Sequence, residues 1–329
     1  MGPLLEIQGL HKHFHSGLWH GTRIHAVNDV DLRVDSGETM GLVGESGCGK
    51  TTLARCAAFL LRPTFGSIRF NGVDLNSLPA PELRIKRREF QIIFQDAFDS
   101  LDPRMSIGDS LLEPLEAQGV GTKRDRLGWV RELIDAVALD QDVLSRRPTS
   151  LSGGQQQRVA IARALALKPR LLMADEPVSA LDASVQAQIL NLLAELQRRY
   201  GLTMILISHS LPVVRQLCSR VAVMYLGRIV EEAPADIFFR QPKHPYSDLL
   251  LRSVPFFGKP AASAADAFDS GRRPGTSAKS AGELPSPAAP SSGCSFHPRC
   301  PFVLEQCRAE IPKLRPAGSD RKVACFLYT

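Results

Sequence analysis

No stretch of this sequence is apolar for anything like the roughly 20 residues that a bilayer-spanning helix requires. The amino-terminal MGPLLEIQGLHKHF lacks a charged start followed by an apolar core, so a secretory leader is not expected either. Runs of five or six basic residues are missing. The 40 Lys and Arg against 34 Asp and Glu leave a formal net charge of +6, which reads as a solvated surface rather than a nucleic-acid patch. No internal repeat is visible, which argues against a solenoid or a propeller. What remains is 329 residues, 44% of them hydrophobic. That is room for one large α/β domain and an appendage, expected to stay soluble in the cytosol.

Cysteine is sparse over most of the chain and crowded at its end. Cys48, Cys56 and Cys218 are scattered, whereas Cys294, Cys300, Cys307 and Cys325 share the last 36 residues. In a reducing compartment such a cluster suggests metal binding rather than disulfides. Its intervals of five, six and seventeen intervening residues exceed those of a structural zinc knuckle. Four thiolates suit zinc and an iron–sulfur cluster alike, because both are thiophilic. His297 could substitute for one ligand but reads as a surface residue.

Short apolar runs at 39–43, 171–174 and 203–207, each followed by a polar loop, have the pattern of buried parallel strands. Between them, Val185, Ile189, Leu192, Leu193 and Leu196 form one apolar helical face opposite Gln186, Gln188, Glu195 and Arg198. Strands alternating with such helices predict a doubly wound α/β sheet, with function in the loops. Residues 97–150 break the rhythm with helix-like segments such as 129–139 and read as a helical insertion. Residues 258–292 hold 25 Ala, Ser, Gly or Pro among 35, the composition of a flexible linker.

Gly44-Glu45-Ser46-Gly47-Cys48-Gly49-Lys50-Thr51 fits G-x-x-x-x-G-K-[ST], between an apolar strand and the helical pattern TTLARCAAFLL that opens on Thr51 and Thr52. The glycines let backbone N–H groups converge on phosphate oxygens, and the following helix adds the positive end of its dipole. Lys50 suits the β and γ phosphates of ATP, and the Thr51 hydroxyl suits Mg²⁺. The run 171–176 delivers two carboxylates to a strand's carboxyl end. Asp175 fits the Mg²⁺ shell, and Glu176 fits a general base for the attacking water. Alone, Glu176 would read as a surface carboxylate before Pro177; beside a phosphate loop it does not.

A phosphate loop permits a kinase, a GTPase or a helicase. Leu151-Ser152-Gly153-Gly154-Gln155-Gln156-Gln157-Arg158 resembles the signature of the ATP-binding cassette (ABC) family, with Ser152, Gly153, Gly154 and Gln155 opening a helix toward an anion. The resemblance implies a P-loop NTPase cassette: a RecA-like parallel-sheet core with antiparallel β and helical subdomains, plus a small Cys-rich extension. It also implies that the anion at Ser152 is the γ-phosphate bound by a second cassette. Gln95 resembles the Q-loop glutamine that contacts Mg²⁺ or the attacking water, 179–182 resembles the D-loop ending on Asp182, and His209 resembles the switch histidine. Ser210 departs from the Asp that the family commonly has there. Phe14 sits where the family stacks an aromatic, usually Tyr, on adenine, though core packing would suit it equally.

The segments GLVGESGCGKTTL, ADEPVSALDASVQAQILNLL, VMYLGRIVE, KHPYSDLLL and GELPSP with its cysteine tail are similar to the ATPase subunits of dipeptide and oligopeptide importers. The resemblance divides the chain into an ABC domain at 1–235 with a helical subdomain at about 97–165, a segment at 236–257, the linker, and a cysteine module at 293–329. It implies a [4Fe-4S] cluster on Cys294, Cys300, Cys307 and Cys325, with Zn²⁺ as the alternative. The implied partners are a second ATPase subunit, as a paralogue heterodimer, two transmembrane permeases, and indirectly a periplasmic or extracellular substrate-binding protein. No nucleic acid is implied. The expected place is the cytoplasmic face of the inner membrane, and the expected activity is ATP hydrolysis driving peptide uptake. The alternative is a soluble cassette ATPase acting on DNA or ribosomes.

Overall fold

The runs expected as doubly buried strands are strands with every residue buried: Thr39–Val43, Leu171–Asp175 and Thr203–Ser208. The computed structural model describes residues 2–16, 22–96, 100–254, 292–318 and 320–328. The expected linker lies outside the described residues but for Ser292. The chain divides into two units.

The first unit comprises Met1–Val34, Thr39–Asn76 and Ser208–Thr329. In its antiparallel sheet, Leu5–Ser16 lies between Thr22–Val34 and Phe65–Phe70, and the last pairs with Val73–Asp74. Register places Ile7 opposite Leu32 on one side and Ile68 on the other, and all three are buried. The same unit pairs Thr39–Val43 in parallel with Arg220–Tyr225, which runs antiparallel to Arg228–Pro234. Lys322–Val323 continues the ladder by pairing with Glu231 and Glu232, and Arg315–Pro316 pairs with Lys322–Val323. The cysteine-bearing carboxyl-terminal segment is therefore stitched into the edge of a sheet rather than tethered as a bead. Glu231, fully buried, secures the adjoining turn by accepting the backbone N–H groups of Lys243 and His244 at 2.8–3.2 Å.

The second unit comprises Asp35–Glu38 and Ser77–Ile207. Its parallel strands Phe90–Ile93, Leu171–Asp175 and Thr203–Ser208 pair in that order. Helices Ile107–Ala117, Lys123–Ala136, Gly153–Leu165 and Ala183–Tyr200 start on Ser106, Thr122, Ser152 and Asp182, each accepting a backbone N–H of the first turn. In the last of these, Ile189, Leu192, Leu193 and Leu196 are buried as the periodicity implies, and Leu190 joins them. Gly201 ends that helix at φ 60°. No helix among the described residues is long and apolar enough to cross a membrane.

Candidate nucleotide site

In the first unit, the loop between Thr39–Val43 and the helix Lys50–Ala57 folds tightly because its glycines leave no alternative. A Cβ on Gly49, at φ 108°, would stand 2.1 Å from the Ala26 carbonyl oxygen. One on Gly44 would stand 2.2 Å from the Met224 carbonyl oxygen. Lys50 is 5% exposed, and its ammonium donates to the carbonyls of Gly44 and Glu45 at 2.8 and 2.9 Å. Those acceptors keep the charge inside the arch of the loop. Ser46 and Gly47 are exposed, while Cys48 is buried, and burial pushes its thiol pKa up. Thr51 and Thr52 lie half-buried in the helix's first turn.

Glu45 behaves differently from the rest of the loop. Its N–H donates to the Tyr246 hydroxyl at 2.8 Å, and its carboxylate pairs with both Nη atoms of Arg299 at 2.9 Å. Its backbone donor is therefore engaged within the protein. Neither partner was visible in the sequence. Phe14 is 37% exposed with the Lys12 ammonium 5.3 Å from its ring centroid, so it is not a core residue. His209 is exposed beyond the end of Thr203–Ser208. Ser210 gives its N–H to the Ser208 hydroxyl at 2.9 Å, and its side chain does not cap the helix Leu211–Leu217 that follows.

In the second unit, Asp175 ends its strand 2% exposed. Glu176 follows in the left-handed region at φ 48°, an uncommon state for a side chain of this size. Its N–H donates to the Ile207 carbonyl at 2.9 Å, and its own carbonyl accepts the N–H and hydroxyl of Ser179 at 3.2 and 3.1 Å. The Gln95 amide donates to the Glu176 carboxylate at 3.3 Å. Two residues that the sequence separates by 81 positions thus meet. The strained turn left no sequence signal, because Glu before Pro177 is compatible with many turns.

The signature in that unit is a complete capping box. Ser152 accepts the Gln155 N–H at 3.3 Å, and the Gln155 side chain accepts the Ser152 N–H at 3.0 Å. Ser152 and Gly153 are exposed at the helix start. Gly154 has another reason to be glycine, since a Cβ there would stand 2.6 Å from the Val185 side chain. Asp182 caps its own helix, accepting the Ser184 and Val185 N–H groups at 3.1 and 3.0 Å. The Ser184 hydroxyl and those N–H groups hold its carboxyl below the usual carboxylate pKa range.

At the expected iron–sulfur or zinc site, no group of three or more His, Cys, Asp or Glu among the described residues is arranged to hold a metal ion. Burial pushes the Cys300 and Cys325 thiols up to about 12. The four are neighbours nonetheless, since a charge on Cys325 would be opposed by charges on Cys300, Cys294 and Cys307. Backbone bonds hold the segment, with the Cys294 N–H on the Cys307 carbonyl at 2.9 Å and the Leu304 N–H on the Cys307 sulfur at 3.4 Å. His297 places Nδ1 2.9 Å from the Cys294 carbonyl oxygen.

Known proteins resemble this chain along nearly its whole length. Residues 27–179 match the family model for ABC transporters, and residues 230–307 match that for the oligopeptide/dipeptide transporter C-terminal region. A Brucella ovis protein named for peptide import ATP binding is 45% identical over 324 residues, 98% of each chain. The oligopeptide transport ATP-binding protein AppF of Bacillus subtilis is 43% identical over 331 residues, 99% of this chain and 98% of that protein. Among solved structures, a dimeric ATP-binding cassette in a post-hydrolysis state with ADP and phosphate covers 70% of this chain at 30% identity, with a TM-score of 0.64.

Proposed function

This chain belongs to the ABC family of peptide-import ATP-binding proteins, and from that membership we propose that it hydrolyses ATP to drive uptake of peptides across the bacterial inner membrane. The observation that carries the importer reading is the segment His244-Pro245-Tyr246, which lies inside the matched transporter C-terminal region and supplies a hydroxyl to the phosphate loop. No comparison favours action on DNA or ribosomes.

The residue roles follow from their chemistry. Lys50 and the N–H groups of the glycine loop receive the phosphates, and Phe14 offers an exposed ring to adenine. Thr51, Gln95 and Asp175 are oxygen donors suited to a Mg²⁺ ion, which would neutralise phosphate charge. Glu176, oriented by Gln95, takes a proton from the attacking water, and His209 lies on the γ-phosphate. Ser152 with Gly153 and Gly154 faces the γ-phosphate of a second cassette, which we take to be a paralogue. Transmembrane permeases, with a substrate-binding protein beyond them, complete the assembly at the cytoplasmic face. Purification from native membranes in mild detergent should recover this chain with a second cassette and two permeases. Stable association with ribosomes or DNA in their absence would overturn the reading.

The cysteine module extends the proposal to a [4Fe-4S] cluster held by Cys294, Cys300, Cys307 and Cys325. Four soft thiol donors within one short segment support it. Protein purified without oxygen should carry about four irons with acid-labile sulfide per chain. Stoichiometric zinc without iron would refute it.

A further inference from the structure

Beyond its own strand and helix, the phosphate loop meets two side-chain partners in the first unit, Arg299 and Tyr246. Arg299 lies in the short turn His297–Arg299, closed by the Arg299 N–H on the Phe296 carbonyl at 3.0 Å and the Cys300 N–H on the His297 carbonyl at 3.3 Å. The turn is bracketed by Cys294 and Cys300, and Cys294 is fastened in turn to Cys307. From it the Arg299 guanidinium forks onto the Glu45 carboxylate, 254 residues away, with both N···O distances 2.9 Å. The Arg299 side chain is 15% exposed and that of Glu45 27%.

An aromatic nest carries the fork. Phe296 is 2% exposed, with its ring centroid 5.3 Å from that of Tyr225 and 5.5 Å from that of Tyr246. The guanidinium carbon of Arg299 lies 5.9 Å from the Tyr225 centroid and 5.8 Å from the Phe296 centroid. The Tyr246 hydroxyl accepts the Glu45 N–H. Glu45 is thus gripped from outside the loop through its carboxylate and its amide.

The grip bears on what Lys50 must do. Its ammonium bonds the Gly44 and Glu45 carbonyls, and reaching a phosphate means giving up at least part of that. The Gly227 N–H holds the far side of the loop on the Cys48 carbonyl at 2.8 Å. Without Arg299 and Tyr246, however, the stretch at Glu45 would be freer to shift as the ammonium swings away, and ATP binding would have to re-form the cradle. Bonds that do not involve Lys50 keep the first residues of the loop fixed, so less binding energy goes into ordering it.

We propose that Arg299 and Tyr246 are positioning residues of the ATP site, through which the cysteine-bearing carboxyl-terminal segment sets nucleotide affinity. The proposal rests on reading Gly44 to Thr51 as the ATP loop. Neither side chain contacts the reacting atoms. Both act through Glu45, so their loss raises the ATP concentration required without altering the chemical step.

The test uses the intact importer complex. ATP titrations of hydrolysis give KM and kcat, and a fluorescent ATP analogue gives Kd. Arg299→Ala should raise Kd and KM about tenfold, the scale of a lost charge-assisted pair, with kcat at saturation unchanged. Arg299→Lys, which keeps the charge but loses the fork, should fall between. Glu45→Gln breaks the same pair from the loop side, altering no residue of the carboxyl-terminal segment, and should reproduce the KM increase by itself. It should add nothing when combined with Arg299→Ala. An unchanged KM in a folded Arg299→Ala or Glu45→Gln complex would overturn the proposal. So would two substitutions that add while lowering kcat and melting temperature together. Wild-type complex that binds no ATP would remove the ATP reading and this proposal with it, whereas ATP binding that ignores both substitutions removes this proposal alone.

Discussion

Glutamine at position 176 leaves ATP binding intact and lowers the rate of hydrolysis by about 10²–10⁴-fold, the usual contribution of a positioned general base. The substitution isolates the proton acceptor. Glutamine has the shape of glutamate, and its amide oxygen can still accept the bond that Gln95 donates. The backbone bonds to Ile207 and Ser179 that hold the turn are indifferent to the side chain. What disappears is the capacity to take a proton from water. Single-turnover measurement with bound ATP separates this from slow product release. Hydrolysis at the wild-type rate would place the base elsewhere and make the Gln95–Glu176 pair a structural one. The left-handed φ of 48° at Glu176 gives a reason to expect a role, because strain of this kind persists where the surroundings impose it and clusters at functional sites.

Alanine at position 49 should cost ATP affinity about 10²–10³-fold. Two effects combine. The residue sits at φ 108°, where a side chain is strained, and its Cβ would stand 2.1 Å from the Ala26 carbonyl oxygen and 2.9 Å from the Met224 methyl group. A backbone oxygen cannot yield as a flexible side chain can, so the loop itself must move. Moving it displaces N–H donors whose bonds to a charged phosphate are each worth about 1.5–3 kcal/mol. Gly47 provides the control. It has φ 77° but nothing within 4 Å of a Cβ, so Gly47→Ala carries strain without collision and should lose affinity about tenfold or less. Equal losses at the two positions would mean that strain rather than collision governs the loop. Isothermal titration with ATP on the purified complex measures both.

What could be read in the sequence was what lies contiguously in it. The phosphate loop, the strand ending in Asp175 and Glu176, and the Ser152 helix start each depend on neighbouring residues, so their patterns survive without any fold. The Ser152–Gln155 box is local for the same reason. The long-range contacts were not legible. Nothing near Glu45 announces that an arginine 254 residues later will grip it, and nothing in KHPYSDLLL shows that its tyrosine reaches the loop. The signature glycines were read as openings toward an anion, and the structure adds a packing reason for Gly154 against Val185. The cysteine tail was read as a module set apart by its linker. Pairing of Lys322–Val323 with Glu231 and Glu232 attaches it to the sheet through two residues, too short a strand for periodicity to reveal. Phe14 was balanced between stacking and core packing, and its exposure removes the second.

The central claim is that ATP hydrolysis by this chain powers peptide import. The most direct measurement is ATP-dependent uptake of labelled peptide into vesicles holding the complete importer and its binding protein, made with wild-type chain and with Glu176→Gln. Uptake and hydrolysis should both rise when peptide-loaded binding protein is added, and both should collapse in the variant. Hydrolysis indifferent to permeases and peptide, or uptake that survives the variant, would contradict the account.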